Sequence, residues 1–439
     1  MSAHTLSPPH VKALNSRRSA NICVLDVGTT KVVCLIGKLT PLEGSDLLRG
    51  RTHRCKVLGI GVQRARGIKG GTIVDMEEAE NAIRHAVDAA ERMSKLQVES
   101  VIVNLSGGRL GSRHLQGSVG LNRGPVEYSD IQRVIHVASG EMSDDGRPLL
   151  HSIPTSYHLD GGDALSDPKG LAGAELAARM HVVSCEPAAL RNIMLAVERC
   201  HLEVEGVVAS PYASGLSVLV EDEAEMGTIV VDFGGGTTSA ASFSHGRIQH
   251  CDAIAVGGNH VSMDIARGLT LRLDDAERLK THYGACLSTT ADERETISIV
   301  PVGEENTAPR QLPKMDLVKI IRPRIEEILE LVRDRLAAHG YPAHGGHRVV
   351  LTGGGALLPG LTDVAKRILS NQVRIGRPLG VQGLPESAKS PAFAAAAGLL
   401  VYPQVAGLER FDRLGSRALL ATGTDGYVSR VGRWLKESF

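Results

Sequence analysis

Three glycine-rich turns, each directly after an apolar run typical of a buried strand, constrain the fold of this chain more than any other feature. They are Asp26-Val-Gly-Thr-Thr-Lys31, Asp232-Phe-Gly-Gly-Gly-Thr-Thr238 and Leu351-Thr-Gly-Gly-Gly-Ala356. Glycine lets backbone N–H groups approach a phosphate closely, and threonine hydroxyls supply further donors. Taken singly, such a turn is more often a purely structural one. Three in this order and spacing favour a common phosphate-bearing ligand.

The first two turns begin with an aspartate at the strand end. Because phosphate repels a carboxylate, Asp26 and Asp232 are best explained as holding Mg²⁺, through water, against a nucleotide. Lys31 either neutralises phosphate charge or lies exposed at a hairpin tip. The other residues predicted to surround the phosphates are Gly28, Thr29, Thr30, Gly234, Gly235, Gly236, Thr237 and Thr238.

The third turn lacks an aspartate and is expected to open a helix from Pro359 to Leu369. Its N–H groups would then meet the adenosine or α-phosphate side of the ligand, because a helix N-terminus attracts negative charge. The residues concerned are Gly353, Gly354, Gly355 and Ala356.

The order of strand, aspartate, glycine-rich tip and strand occurs twice, over 21–37 and again over 227–244. This repetition predicts an internally duplicated α/β chain whose two lobes face each other across a cleft. Between the copies, residues 104–181 are irregular and glycine-rich, with one helix beginning near Ser129. They predict a small inserted α+β domain.

Composition excludes several classes of protein. The chain has 439 residues, too many for one core, and its 49 Lys+Arg balance 49 Asp+Glu, so no overall charge draws it to nucleic acid. Its seven cysteines are scattered without a C-x-x-C pair, which argues against a disulfide framework or a structural zinc site and favours a reducing cytoplasm. No apolar segment is long enough to span a membrane. Residues 1–20 lack a signal-peptide pattern and are predicted to be a disordered tail.

The segment 426–439 is predicted to form an amphipathic helix after a flexible linker at 407–425. At about 100° per residue, six apolar side chains share one face: Tyr427, Val428, Val431, Trp434, Leu435 and Phe439. Arg430, Arg433 and Lys436 lie on the other face. An aromatic apolar stripe opposite basic residues is typical of a helix in the interface of an anionic membrane. The alternative is a terminal helix docked on the protein's own core.

Together, the three turns resemble the signatures of the actin, heat-shock chaperone and sugar kinase superfamily. Within it, the chain resembles the FtsA family of bacterial cell-division proteins over about 21–403 and again at its C-terminus. Four stretches carry this likeness: Asp167-Pro-Lys-Gly-Leu-Ala-Gly173, Gly257-Gly-Asn-His-Val-Ser-Met-Asp-Ile-Ala266, Ala276-Glu-Arg-Leu-Lys-Thr-His-Tyr-Gly284 and Ile321-Arg-Pro-Arg-Ile-Glu-Glu-Ile328.

The resemblance implies an actin/chaperone-ATPase-like, duplicated two-lobed fold. Its subdomains would be 1A (21–103, 182–225 and 376–406), 1C (104–181), 2A (226–258 and 341–375) and 2B (259–340). Glu277 and Lys280 would flank the adenosine, although at i, i+3 they could equally be a surface ion pair on a helix. Gly258 would also bind the nucleotide. Arg324 and Glu327 would contact the C-terminal tail of the tubulin-like protein FtsZ, or be solvent-facing charges.

The implied function is an ATP- and Mg²⁺-binding, actin-like protein that polymerises with itself on the cytoplasmic face of the inner membrane. There it would tether the FtsZ ring at the division site and help recruit other divisome proteins. Where relatives that hydrolyse ATP well carry an acidic or amide residue, this chain has Ser210-Pro-Tyr-Ala-Ser214, so hydrolysis is expected to be slow or absent. The alternatives are a chaperone-type ATPase, a sugar kinase, a pilus-assembly adaptor or a cell-shape filament protein like MreB.

Overall fold

A computed structural model describes residues 7–42, 51–121, 124–140, 146–290, 292, 294–304 and 308–411. The predicted membrane helix at 426–439, with all its membrane-facing residues, lies outside the described part, as does the linker after residue 411. The strands are β1 (Ala20–Val27), β2 (Lys31–Pro41), β3 (His53–Arg64), β4 (Ile68–Lys69), β5 (Thr72–Ile73), β6 (Ser100–Leu105), β7 (Gly111–Gly120), β8 (Leu149–Leu159), β9 (Glu175–Ser184), β10 (Glu203–Ala209), β11 (Thr228–Phe233), β12 (Thr238–Ser244), β13 (Arg247–Ile254), β14 (Thr296–Ile299), β15 (Arg310–Pro313), β16 (Arg348–Thr352), β17 (Val373–Ile375) and β18 (Val381–Gln382).

The α-helices are interspersed among these strands, and a 3₁₀ turn follows β16 at Gly354–Leu357. The α-helices are α1 (Met76–Ser94), α2 (Tyr128–Gly140), α3 (Pro187–Arg199), α4 (Ser210–Val218), α5 (Glu221–Met226), α6 (Gly258–Leu269), α7 (Leu273–Tyr283), α8 (Lys314–Ala338), α9 (Leu361–Ile368) and α10 (Ala394–Val401).

Two sheets of the same topology form the two lobes. The first has the order β10-β6-β1-β2-β3-β18, and the second, taken from its other edge, has the order β17-β16-β11-β12-β13. In each, the aspartate-bearing strand (β1 or β11) pairs antiparallel with the strand after it and parallel with β6 or β16. The duplication predicted from the repeated motif is therefore present strand by strand.

Helix α1 shows how closely helices pack on these sheets. An aspartate, Asp75, caps its N-terminus by accepting the N–H of Glu78, and its alanine-rich face is buried. On β3 beneath it, a Cβ added to Gly61 would lie 1.8 Å from the carbonyl oxygen of Ala86. Only glycine at this position allows the helix to approach the sheet this closely.

The inserted domain has its own sheet and its own core. Strands β7, β9 and β8 form an antiparallel three-stranded sheet, and α2 packs against it. A separate cluster of buried apolar residues fills the space between them, including Val134, Ile135, Leu176 and Met180. Two larger apolar clusters belong to the two lobes, the second extending into α6, α7 and α8.

Residues before β1 and after α10 pack against each other and against the first lobe. The rings of His10 and Phe411 stack with centroids 3.4 Å apart. The carbonyl oxygen of Arg18 accepts a hydrogen bond from Nε2 of His53 at 3.0 Å. Glu409 is buried, and its carboxylate lies 3.0 Å from Nδ1 of His151. The prediction of a disordered tail is therefore wrong for residues 7–20, and the predicted linker does not begin at Gly407, because residues 407–411 belong to the folded body.

Candidate functional site

The first two glycine-rich turns have the same geometry and meet in the cleft between the lobes. The N–H of Gly28 donates to the carbonyl of Lys31 at 3.0 Å, and the N–H of Gly234 donates to that of Thr237 at 2.9 Å. The tips then interlock: a Cβ on Gly235 would lie 2.3 Å from Cγ2 of Thr30. Each lobe thus presents an equivalent loop to the other.

A cavity of about 310 Å³ lies around these turns, large enough for a small-molecule ligand. Its wall brings together most of the residues that the sequence predicted from distant parts of the chain. They are Asp26, Gly28, Thr29, Thr30, Lys31, Asp232, Gly234, Gly235, Thr237, Gly258, Glu277, Lys280, Gly353, Gly354 and Gly355.

Three predicted nucleotide-site residues do not lie on this wall: Gly236, Thr238 and Ala356. The Thr238 hydroxyl is buried and donates to the carbonyl of Val256 at 2.8 Å, so it supports the sheet. Gly236 contacts the other turn, since a Cβ there would lie 2.5 Å from Oγ1 of Thr29. Ala356 is buried in the core of the second lobe. These positions hold the turns in place and do not face the cavity.

Asp26 lies at the centre of a buried polar network. Its carboxylate accepts from Nδ2 of Asn104 at 2.6 Å, and the same amide nitrogen reaches Oγ of Ser210 at 2.9 Å. Burial and, more weakly, the neighbouring Asp232 raise the pKa of Asp26, while Lys31 and the Asn104 hydrogen bond lower it; together these influences bring the pKa to about 6. A buried carboxylate next to a second one is costly to ionise without a compensating cation.

Asp232 is the counterpart of Asp26 in the second lobe. Its Oδ2 accepts from Oγ of Ser214 at 2.5 Å. Burial raises its pKa, against the hydrogen bond from Ser214 and the charge of Lys31. Lys31, whose own pKa burial lowers, lies with Nζ 3.7 Å from the centroid of the Phe393 ring. The charge of one lysine therefore lowers the pKa of two carboxylates.

This donor set fits a magnesium ion. Mg²⁺ prefers carboxylate and water oxygens and is usually held by one or two carboxylates together with substrate phosphates. A divalent cation between Asp26 and Asp232 would offset the effect of burial, which raises the pKa of both carboxylates. The glycine turns beside them leave room for phosphate oxygens, since Gly28, Gly234 and Gly235 line the same cavity.

Glu277 and Lys280 line the cavity and also pair with each other. The Lys280 ammonium donates to Oε2 of Glu277 at 2.7 Å, to Oγ of Ser262 at 2.8 Å and to the carbonyl of Gly258 at 2.9 Å. An ammonium has three hydrogens, so these bonds use all of its donors. Lys280 thereby ties α7 to the first turn of α6, and Glu277 has the more accessible side chain at this end of the cleft.

The third turn differs in one respect from its prediction. After Gly353 the chain forms a 3₁₀ turn, Gly354–Leu357, and the α-helix begins only at Leu361, so the glycines are not the first turn of that helix. Gly353 has φ +83°, and a Cβ there would lie 2.3 Å from Oδ1 of Asp232. Glycine is required because both the backbone conformation and the contact exclude a side chain.

Other residues at the cavity were not among the predicted ligand contacts. Ser210, directly after β10, lines the cavity, and Pro391 and Ala392 approach it from before α10. Asn104, near the end of β6, does not line the cavity but holds Asp26 from behind. Both β6 and β10 run parallel to β1. Carboxyl ends of neighbouring parallel strands meet at one edge of a sheet, so the strand order, once known, points to Asn104 and Ser210. No local pattern distinguishes them from ordinary strand-end residues.

Arg324 and Glu327 lie on α8, outside the cleft. The Arg324 guanidinium makes a two-pronged contact with Asp264, with Nε 2.6 Å from Oδ2 and Nη2 3.1 Å from Oδ1, and its Nη1 also pairs with Glu327. Its side chain keeps 28% of its surface exposed. Local acidic residues therefore already satisfy this arginine.

The two equivalent lobes, their facing aspartate-tipped turns and the inserted domain define an actin-like fold. The PilM–PilN type IV pilus biogenesis complex contains a chain of similar structure, with a TM-score of 0.59, 16% identity, and coverage of 88% of this chain and 99% of that one. At that identity the similarity concerns the fold alone. No helix in the described part of the chain is both long and apolar enough to cross a bilayer.

Sequence comparison defines the family. The family model "Cell division protein FtsA" matches residues 229–398, and "SHS2 domain inserted in FTSA" matches 107–184. The chain is 50% identical over 432 residues to the cell division protein FtsA of Agrobacterium fabrum, covering 98% of both chains. It is 33% identical to that of Escherichia coli K12, covering 94% of this chain and 97% of the relative. The chain belongs to the FtsA family of cell-division proteins.

Proposed function

We propose that this cell-division protein binds ATP with Mg²⁺ in the cleft and polymerises with itself on the cytoplasmic face of the inner membrane. There it tethers the FtsZ ring at the division site and helps recruit further division proteins. The observation that carries the proposal is the pair of equivalent turns, one from each lobe, that bring Asp26 and Asp232 into one cavity.

Different residues of the cleft bind the metal ion, the phosphates and the adenosine. Asp26 and Asp232 hold Mg²⁺, which supplies the positive charge that these buried carboxylates and the phosphates need. The N–H groups of Gly28 and Gly234 close their own turns, so the phosphate donors come from the tip residues that follow them. Glu277, which also lines the cavity, faces the adenosine. Because the ligand contacts residues of both lobes, it can hold the cleft in one conformation.

The residues near Asp26 favour slow hydrolysis or none. The hydroxyl of Ser210 lies 2.7 Å from that of Ser106 and accepts from the amide of Asn104, and neither neighbour is a base at neutral pH. A serine without a basic partner is a poor group to deprotonate water. Steady-state phosphate release of several per second would contradict this and favour a chaperone-type or sugar-kinase enzyme.

Calorimetry with ATP and Mg²⁺ tests the cleft. We expect Asp232→Asn to weaken Mg²⁺-dependent ATP binding at least tenfold, because it removes one of the two carboxylates that hold the ion. Asp274→Asn is the matched control, since this aspartate is exposed and pairs with Arg64 on the surface. Folded protein that takes up no adenine nucleotide would refute the proposal.

Electron microscopy on lipid monolayers tests assembly. Filaments are expected with ATP and Mg²⁺, and few or none without nucleotide or with Asp232→Asn. Filaments that form equally well without nucleotide would contradict the proposed link between the cleft and polymerisation.

The FtsZ tail contact is proposed for Arg324 and Glu327 on α8. Because Arg324 is bound by Asp264, an acidic tail would have to compete for its guanidinium. Fluorescence anisotropy with a labelled FtsZ tail peptide should show severalfold weaker binding to Arg324→Ala. Arg278→Ala is a suitable control, because Arg278 is an exposed helix arginine with its own i, i+3 partner. Equal affinities of the two variants would exclude this contact site.

A further inference from the structure

A second polar cavity, of about 280 Å³, lies where the inserted domain meets β13 and the end of α8. The inserted domain contributes Ser112 and Ser184 to its wall, β13 contributes His250 and Asp252, and His339 follows α8 directly. These residues take no part in the nucleotide cleft. The cavity therefore needs an explanation of its own.

Three of its side chains can bind one metal ion together. One nitrogen of His250, one nitrogen of His339 and one carboxylate oxygen of Asp252 all lie within 4.8 Å of one another. His250 and Asp252 are two residues apart on β13, so their side chains share one face of the strand. His339 reaches the same point from the helix, far away in sequence.

The two histidines have lone pairs available. His250 is 3% exposed, and its Nε2 has no hydrogen-bond partner among the described residues. Nδ1 of His339 lies 2.9 Å from the carbonyl oxygen of Arg335. When Nδ1 carries the proton and donates it to this oxygen, Nε2 keeps a lone pair that can coordinate a metal ion.

The charges around the cavity both favour and oppose a cation. The C-terminal end of α8 carries partial negative charge, and Asp252 adds a carboxylate. Against this, Arg113, Arg147 and Arg335 also line the cavity. Arg147 already donates to Ser184 and to the carbonyl of Arg109. Arg335 is 3.4 Å from Asp252 with 58% of its side chain exposed, so it is free to turn into solvent.

We propose that His250, Asp252 and His339 form a binding site for a divalent transition-metal ion of the Zn²⁺ class. Two imidazoles and one carboxylate match the ligands that such ions prefer, and three protein ligands leave a position for water. The ion ties β13 to the end of α8 beside the inserted domain. The competing explanation is a stacked histidine pair without metal, since the two rings lie 4.4 Å apart with an interplanar angle of 32°.

Zinc titration of untagged, nucleotide-free protein against a chromophoric chelator tests the site. Nucleotide is left out because its phosphates bind metal themselves. We expect one tight site per chain, weakened at least tenfold by His339→Ala, and a Co²⁺ spectrum of the wild type that this variant loses. His339 is exposed, so the variant should keep its unfolding midpoint. His282→Ala, which removes an exposed histidine on α7, controls for general histidine binding and should leave the titration unchanged.

A second substitution, which should tighten zinc binding where His339→Ala weakens it, separates metal binding from a structural role. Arg335→Gln removes the guanidinium that competes for Asp252, so it should tighten zinc binding at least threefold, whereas a merely stacked pair predicts no change. Equal zinc affinity for His339→Ala and His282→Ala, or the absence of a tight site in the wild type, would overturn the proposal.

Discussion

Asp26 and Asp232 end equivalent strands of the two lobes and share the charge of Lys31. A polar group without full compensation in a protein interior lowers stability, and such groups are commonly retained where they act on a ligand. The cleft is thus built with a surplus of negative charge. Among the described residues, Lys31 is the cation whose charge lowers the pKa of both carboxylates, so each is only partly compensated.

Asp26→Asn should stabilise the nucleotide-free protein at pH 7.5. The pKa of Asp26 is about 6 in the folded chain against 3.8 as its ordinary value, so its contribution to stability is full below 3.8 and is lost as pH rises through 6. The free energy of unfolding falls by at most about 3 kcal/mol over this pH range, because one pKa unit corresponds to about 1.36 kcal/mol. Denaturant unfolding between pH 4 and 8 should show a stability gain for the variant that grows with pH. A variant less stable than wild type at pH 7.5 would count against this account.

Gly236→Ala should weaken ATP binding at least tenfold without touching the ligand. Its new Cβ would lie 2.5 Å from Oγ1 of Thr29, so the interlocked turns of the two lobes must separate. Gly120→Ala is the control, because no residue that the structure describes lies within 4 Å of a Cβ at that position. Calorimetry on both variants checks the expectation, and unchanged affinity in Gly236→Ala would mean that the turns do not need this close contact.

Residues of the cleft differ in how far sequence could predict them. Asp26 and Asp232 follow apolar strands and precede glycine turns, a local pattern that carries its own chemistry. Asn104 is as important to Asp26 as any motif residue, with a 2.6 Å hydrogen bond, but it comes close only because β6 lies beside β1. Thr238 was assigned to the ligand because it follows the glycines, whereas its hydroxyl binds the carbonyl of Val256.

Elements with strong periodicity were predicted within one or two residues. The amphipathic pattern of the sequence predicts a helix over Met315–His339, and α8 spans Lys314–Ala338 despite Pro323 inside it. Weak elements were not foreseen: the 3₁₀ turn at Gly354–Leu357 and the short edge strand β18 depend on tertiary contacts, since β18 exists only by pairing with β3. Local propensity says little about an element of two residues.

The contact between α10 and α4 provides a prediction at this scale. Gly398 lies inside α10, where alanine would normally favour the helix by about 1 kcal/mol. A Cβ there would lie 1.7 Å from the carbonyl oxygen of Ala213. Gly398→Ala should therefore destabilise the protein by about 1–3 kcal/mol, the usual cost of overpacking. Gly140→Ala, with open space around the new Cβ, should be neutral or slightly stabilising in the same denaturant titration.

At the scale of the whole molecule, the fold is a duplicated pair of lobes with a third core in the inserted domain. The repeat was visible in the sequence because each copy carries the same aspartate and glycine signals. The docking of residues 7–20 was not, because polar and proline-rich composition resembles a disordered tail. What orders those residues is contact with distant groups, such as Phe411 against His10.

Membrane binding should depend on assembly as well as on the C-terminal segment. Arg430, Arg433 and Lys436 contribute roughly 1 kcal/mol each near an anionic leaflet, so a single predicted helix binds weakly and reversibly. Joining many copies in a filament makes later contacts intramolecular and raises avidity about 10²- to 10⁴-fold.

Liposome flotation with anionic vesicles separates the two contributions. With ATP and Mg²⁺, the wild type should bind at least tenfold more than without nucleotide. Asp232→Asn should keep the weak, nucleotide-independent level and lose the increase, whereas Trp434→Glu and a chain ending at Gly426 should lose both, because the apolar face is removed. If Asp232→Asn floats as well as wild type in the presence of ATP, the cleft does not control membrane avidity. If the chain ending at Gly426 still floats, the anchor lies elsewhere.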